Sequence, residues 1–287
     1  TLKHMHNSDK RVAILYYNHP PGKASVGASY LNIMPTIANL LDGMRERGYT
    51  VGNTTPNSTE MRDLILHQGR NIGVWAPDEI EKIVEAGNVT LIPESEYQEW
   101  FNGLPESKRN EVITMWGEPP GEIMVYTNES GKYLIIPKII FGNVLLAPEP
   151  SVGTSQDQAV MYHDKSIPPN HQYIAFYFWL KRGFRANAII HVGTHATHEW
   201  RPGKEVGLSI KNCWPVILMQ DLPNPYIYIM DNIGEGTQAK RRGMADIVDH
   251  LTPPIVAAGL YGNLSNLENK ISLYDLAQNG TMKTKYK

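Results

Sequence analysis

The sequence predicts an α/β fold, a Rossmann-like parallel-sheet core carrying a short-helix insertion and a β-hairpin. Three observations predict it. Residues 11–17 form a β-branched and aromatic run that leads through a Gly/Pro-rich loop into an amphipathic helix, which is half of a βαβ unit. A second apolar run, residues 188–192, ends in Gly193 and opens into a loop dense in ionisable side chains, and ligands of α/β sheets sit at such strand ends. Between these runs, residues 57–116 read as short helices, and residues 122–126 and 133–136 flank Glu129-Ser130-Gly131 as a hairpin.

Taken in order, residues 1–9 and 279–287 read as polar tails. Residues 10–56 and 117–278 read as the α/β core, in one or two lobes, with 57–116 as the helical insertion. After the first strand, Ile33, Ile37, Leu40, Leu41 and Met44 share one helical side, and Gly48 is the C-terminal cap. Asn57 with Glu60 predicts a capping box for a helix closing near Gly69. Further helical pieces, 77–86, 94–101 and 106–115, each follow or begin at a proline. Residues 139–146 read as one apolar strand, and Pro169 and Asn170 open a helix whose aromatic interior is 173–180. Residues 214–219 and 226–230 are apolar elements, 231–237 a strand-end loop, 238–250 a helix and 264–278 a final amphipathic helix.

Composition narrows the function classes. A chain of 287 residues can bury a sizeable core. Its formal net charge of −2 shows no basic footprint, so no nucleic-acid partner is expected. Cys213 is the only cysteine, which excludes an intramolecular disulfide and suits a reducing cytoplasm. The longest strongly apolar block, 173–180, is too short to span a bilayer, so no membrane partner is expected. Gly22-Lys23-Ala24-Ser25 lacks the spacing of a phosphate loop, and no dinucleotide fingerprint occurs, so no ATP is bound here.

Residues 189–204 carry the chemistry, with His191, His195, His198, Glu199 and Lys204 in one strand-exit segment. If Thr194 caps a helical turn, then His195, His198 and Glu199 share one face, and Pro202 ends the turn. Imidazoles and a carboxylate so placed can hold a metal or move protons. The plainer reading is a strand-end histidine bonded to a carbonyl, with Glu199 paired to Lys204 on the surface. His19, Lys23 and Ser25 would join the same rim, and Glu149, His163, Asp164 and His171 would line a pocket wall. Lys240-Arg241-Arg242 sends some positive charge towards the site.

Several motifs resemble the large, tetrapyrrole-binding subunit of class II metal chelatases, the family of cobaltochelatase CobN and the magnesium chelatase H subunit. They are Pro20-Pro21-Gly22-Lys23, residues 27–32, Phe141-Gly142-Asn143-Val144, and Tyr162-His163-Asp164 with Pro168-Pro169-x-His171-Gln172-Tyr173. His191-x-Gly193-Thr194-His195, Glu199-Trp200-x-Pro202-Gly203-Lys204, residues 232–242 and His250-Leu251-Thr252-Pro253-Pro254 follow in the family's order. The resemblance runs from about residue 11 to 267. Trp200 and residues 234–238 look more like the cobalt branch. Family members usually have glycine at Ala196, apolar residues at His198 and Arg201, and a chain several times longer, so this sequence resembles a central fragment of such a subunit, or a short relative of it.

The resemblance implies ATP-dependent insertion of Co2+, alternatively Mg2+, into a corrinoid or porphyrin, with ATP hydrolysed by separate AAA+ partner subunits. It implies Glu199 as guide for the metal and proton acceptor, His195 as base or transient metal ligand, and His191 as their support. His163, Asp164, His171, Lys23, Lys204 and Arg241 are then tetrapyrrole-binding candidates. Two rivals stand beside it: a non-catalytic tetrapyrrole-binding module, and a zinc hydrolase using His191, His195 and His198, against which the absent H-E-x-x-H pattern argues.

Overall fold

The computed structural model describes residues 2–18, 26–27, 31–73, 76–153, 163–193, 195–228 and 233–249, with 263–264, 266–267 and 270–271. The chain divides into two units, Thr1–Asp249 and His250–Lys287. In the second, the described residues are helical. The expected helix at 264–278 otherwise lies outside the described residues.

The first unit runs β1 (Val12–Tyr16), α1 (Ile33–Glu46), α2 (Ser58–Gln68), α3 (Pro77–Glu85), β2 (Val89–Pro93), α4 (Glu94–Asn102) and α5 (Glu106–Trp116). It continues through β3 (Val125–Asn128), β4 (Gly131–Pro137), β5 (Ile139–Phe141), β6 (Val144–Pro148), α6 (His171–Arg182) and β7 (Ala188–Gly193). The last elements are α7 (Trp214–Met219), β8 (Asn224–Tyr228), α8 (Ile233–Arg242) and β9 (Ala245–Val248).

Six strands form a sheet of order β5-β6-β1-β7-β8-β9, parallel except for the β5–β6 pair. Every residue of β1 is buried, as a strand covered on both faces must be. Alternation sorts its side chains: Ala13 and Leu15 face a core built on α4, α6 and α7, whereas Val12, Ile14 and Tyr16 face α1 and α2. On β7, Ile189 joins the first core and Val192 the second. The aromatic helix α6 is buried over residues 171–180, and the Asn170 carboxamide caps it by accepting from Tyr173 N at 2.9 Å. The capping box of α2 forms as its residues predict, with Asn57 accepting from Thr59 N and Glu60 N and the Glu60 carboxylate accepting from Asn57 N.

Three expectations change. Residues 139–146 are two antiparallel strands, because Gly142, at φ +58°, turns the chain with Asn143, and Asn143 N donates to Thr50 O at 2.7 Å. Residues 238–250 are not one helix. The helix starts earlier, at Ile233, and ends at Arg242, and the β-branched Ile247 and Val248 belong to the edge strand β9. The run of short helices at 57–116 also contains β2, which pairs with β4 in a separate antiparallel sheet of order β2-β4-β3. The hairpin across Glu129 and Ser130 is as expected. Among the described residues no helix is long and apolar enough to cross a membrane.

Candidate functional site

The strand order places the site. From β1 the chain returns as β6 on one side, and α6 then carries it to β7 on the other. The carboxyl ends of β6, β1 and β7 therefore meet at a topological switch point, where ligands of such sheets bind. Glu149 follows β6 directly. Register sets His191 of β7 opposite Leu15 and Tyr226, so its ring faces the α6 side of the sheet. From α6, Tyr173 and Tyr177 stand one turn apart and send their hydroxyls into the same layer.

An inner network results, fully enclosed. Glu149 Oε1 accepts from Thr197 N at 2.8 Å, Thr197 Oγ1 at 3.0 Å, Tyr173 OH at 2.9 Å and Tyr177 OH at 3.0 Å. The Tyr177 hydroxyl also lies 3.4 Å from His191 Nε2 and 3.5 Å from His198 Nδ1. Asn224 donates its amide N–H to Gly243 O, which turns Oδ1 towards His191 Nδ1 at 2.7 Å. His191 consequently carries its proton on Nδ1 and its lone pair on Nε2. Glu199 accepts from Tyr226 OH on Oε1 at 2.9 Å, while Oε2 has no hydrogen-bond donor and lies 3.2 Å from His198 Nδ1. Glu199 and His198 are both 0% exposed.

Burial governs this pair. It raises the Glu199 carboxyl well above its usual range, with the Glu149 carboxylate adding to the rise. It lowers His198 well below the usual imidazole value, with His191 adding to the fall, and lowers His191 as well. Both shifts favour the uncharged form of the group concerned.

An outer group lies nearer solvent. His163 Nε2 and His195 Nε2 are 3.2 Å apart, and Glu235 Oε1 is 4.0 Å from His163 Nε2. Tyr228 OH donates to Glu235 Oε2 at 3.1 Å. His195 Nδ1 lies 2.6 Å from Ala196 O and 3.2 Å from Trp200 Nε1. It cannot donate to the carbonyl and accept from the indole at once. The shorter contact decides: Nδ1 carries the hydrogen and the Nε2 lone pair faces His163. Trp200 packs on His163 with ring centroids 4.4 Å apart.

Two buried arginines hold the loop between these groups. Arg242 Nε donates to Glu199 O at 2.6 Å, and its terminal nitrogens donate to Arg201 O, Gly203 O and Lys204 O. Arg201 donates to Thr197 O and Ile167 O, both at 3.1 Å, and burial lowers its pKa to about 10, so it stays a cation at neutral pH.

The single face predicted for His195, His198 and Glu199 does not form. Thr194 lies outside the described residues, and the only regular turn from Ala196 to Arg201 is a 3-10 turn, His198–Trp200, entered from Thr197. His198 and Glu199 join His191 inside, while His195 turns outward to His163. Asp164 is taken by a turn, accepting from Ser166 N at 2.8 Å and Oγ at 2.5 Å, which lowers its pKa. His171 sits in another layer, with Nδ1 bonded to Tyr97 OH and Nε2 to Gly117 O. Lys204 and Arg241 are exposed, whereas the third basic residue of the expected trio, Arg242, is interior. His19, Lys23 and Ser25 lie outside the described residues. Glu149 was legible only as a wall residue, Tyr177 as part of an aromatic helix, Tyr226 as part of an apolar element, and Glu235 as part of a strand-end loop within the family-like run 232–242.

Two donor sets can thus approach a metal ion: Glu149, His191 and His198, and His163, His195 and Glu235. Known proteins give these geometries a context. An uncharacterized protein of Methanocaldococcus jannaschii is 40% identical over 97% of this chain and 22% of its own length. The aerobic cobaltochelatase subunit CobN of Pseudomonas aeruginosa is 37% identical over 91% of this chain and 20% of its own. The magnesium-chelatase H subunit of Chlorobaculum parvum is 33% identical over 95% and 20%. The solved catalytic subunit of cobaltochelatase from Mycobacterium tuberculosis superposes with a TM-score of 0.73 at 32% identity, covering 96% of this chain and 22% of that one. The chain therefore spans about a fifth of the length of these relatives. The CobN/Magnesium Chelatase family model matches residues 1–287, and this chain belongs to that family.

Proposed function

We propose that this chain forms the metal-inserting part of a large chelatase subunit that places a divalent ion in a tetrapyrrole, with ATP hydrolysed by AAA+ partner subunits. The observation that supports it best is Glu199, wholly buried at the switch point with Oε2 lacking a donor and its proton affinity raised. Insertion requires two pyrrole N–H protons to leave. A carboxylate whose affinity for a proton is raised by burial suits taking one of them. His198 Nδ1, 3.2 Å away, is the next acceptor, and the Tyr177 hydroxyl links it to His191 and Glu149. Lys204 and Arg241, both exposed, meet ring carboxylates.

Cobalt is the ion we favour. The donors near the switch point are four histidines with three carboxylates. Imidazole suits Co2+, whereas Mg2+ takes oxygen ligands and keeps its waters. The lone cysteine, Cys213, suits a reducing compartment, and we place the reaction in the cytoplasm.

The test uses the full-length subunit with ATP, AAA+ partners, metal-free corrinoid or porphyrin, and Co2+ or Mg2+. Insertion of Co2+ into the corrinoid is expected, with Glu199→Gln slowing it by roughly 10²-fold or more. Wild-type turnover in that variant would overturn the role of Glu199. Tetrapyrrole binding without insertion would make the chain a binding module, and preference for Mg2+ would reverse the metal.

A further inference from the structure

We infer that the substrate ion first docks at His163, His195 and Glu235, a transition-metal site distinct from the proton-handling network inside. The use of this site in insertion rests on the function proposed above, but its existence does not, because binding is measured without tetrapyrrole or ATP.

The two donor sets differ in their surroundings. In the inner one the Tyr177 hydroxyl already lies between the donors, 3.0 Å from Glu149 Oε1, 3.4 Å from His191 Nε2 and 3.5 Å from His198 Nδ1. A metal there would have to displace a side chain in a core without solvent access. The outer set lies nearer solvent. Its two imidazole nitrogens, 3.2 Å apart, have nearly the separation of two nitrogen ligands on one tetrahedral ion, about 3.3 Å for bonds of about 2.05 Å.

Each donor also has an aiming partner. The Ala196 carbonyl holds the His195 hydrogen on Nδ1 and leaves Nε2 pointing at His163. Tyr228 OH binds Glu235 Oε2 and leaves Oε1 on the histidine side, 4.0 Å from His163 Nε2. Such outer partners orient metal ligands and strengthen them as donors. The His163 side chain is 46% exposed and that of Glu235 15%, so the site opens to solvent. Three protein ligands with open positions make a site that can release its ion, and two imidazoles with one carboxylate select Co2+ or Zn2+ over Mg2+.

Trp200, packed on His163, is a built-in reporter. Co2+ is titrated into the chain with His4 and His6 changed to Ala, removing a competing surface pair, and the readouts are tryptophan fluorescence and the visible Co2+ spectrum. One saturable equivalent is expected, undiminished by excess Mg2+, weakened at least tenfold by His163→Ala and by Glu235→Gln, and unchanged by Glu199→Gln or Tyr177→Phe. Circular dichroism and the melting temperature confirm that the variants are folded. Equal affinity in His163→Ala and Glu235→Gln would overturn the site, as would binding lost in Glu199→Gln but kept in those two. Intact Co2+ binding alongside failed insertion would refute the reading of the reaction and leave the site standing.

Discussion

The inner and outer groups use the same chemistry, histidines with carboxylates, and begin within a few residues of each other on one loop, yet their surroundings are opposite. Inside, hydroxyls and an amide hold most donor atoms, and Glu199 Oε2 is left without one. Glu149 collects four hydrogen bonds, Asn224 sets the His191 tautomer, and the side chains of His198 and Glu199 are 0% exposed. Outside, His163 and Glu235 keep solvent access, and their lone pairs converge with that of His195. Residue type alone does not separate the two groups; burial does.

Stability measurements can break this comparison. The largest effect is expected from Glu149→Leu, which strands the donors of Tyr173, Tyr177 and Thr197 in the core. Each unsatisfied buried group costs about 1–3 kcal/mol, so a loss of roughly 3 kcal/mol or more should appear in urea unfolding. Arg242→Met should come close behind, at roughly 3 kcal/mol, since carbonyls of Glu199, Arg201, Gly203 and Lys204 lose a shared donor. Its melting curve and its Co2+ affinity should fall together, because the same loop carries both groups. Tyr177→Phe, which removes one hydroxyl and leaves the ring packed, should cost about 1–2 kcal/mol.

The pH dependence sharpens the contrast further. His191, His198 and His171 are buried with folded pKa values below the ordinary 6.5. Below pH 6.5 the unfolded chain therefore takes up more protons than the native one, and stability falls as pH falls. Glu199 acts with the opposite sign, because its raised carboxyl keeps a proton that the unfolded chain gives up above about pH 4.5. Three histidines against one carboxyl give a net fall in melting temperature from pH 7.5 to 5.5. His198→Gln should flatten that slope. The smallest effect belongs to the outer rim: His163→Ala should shift stability by less than about 0.5 kcal/mol, while removing Co2+ binding. A large loss of stability there would mean that the outer group is structural too.

Much of the scaffold was legible in the chain. Residues 11–17 announced a doubly covered strand through an unbroken apolar run, and β1 is that strand. Asn57 with Glu60 announced a capping box through side-chain chemistry three residues apart, and it forms. Local signals of this kind need no partner elsewhere. The turn at Gly142-Asn143 was written in the chain as well, but the apolar residues around it outweighed the dipeptide. Residues 233–237 read as a loop because two glycines lower helix propensity, yet α8 begins there, with Gly236 and Ala239 buried.

The site divides along the same line. The order of residues alone gathered ionisable side chains after a strand ending at Gly193, with His191, His195, His198, Glu199 and Lys204 in that segment. Only tertiary structure decided that His195 parts from Glu199, that Glu149 becomes the hub of the inner network, and that Tyr177, Tyr226 and Glu235 belong to the two groups. The physical reason is that a donor's role depends on its dielectric surroundings and on the atoms across from it. Those atoms come from β6, α6, β8 and α8, tens of residues away along the chain.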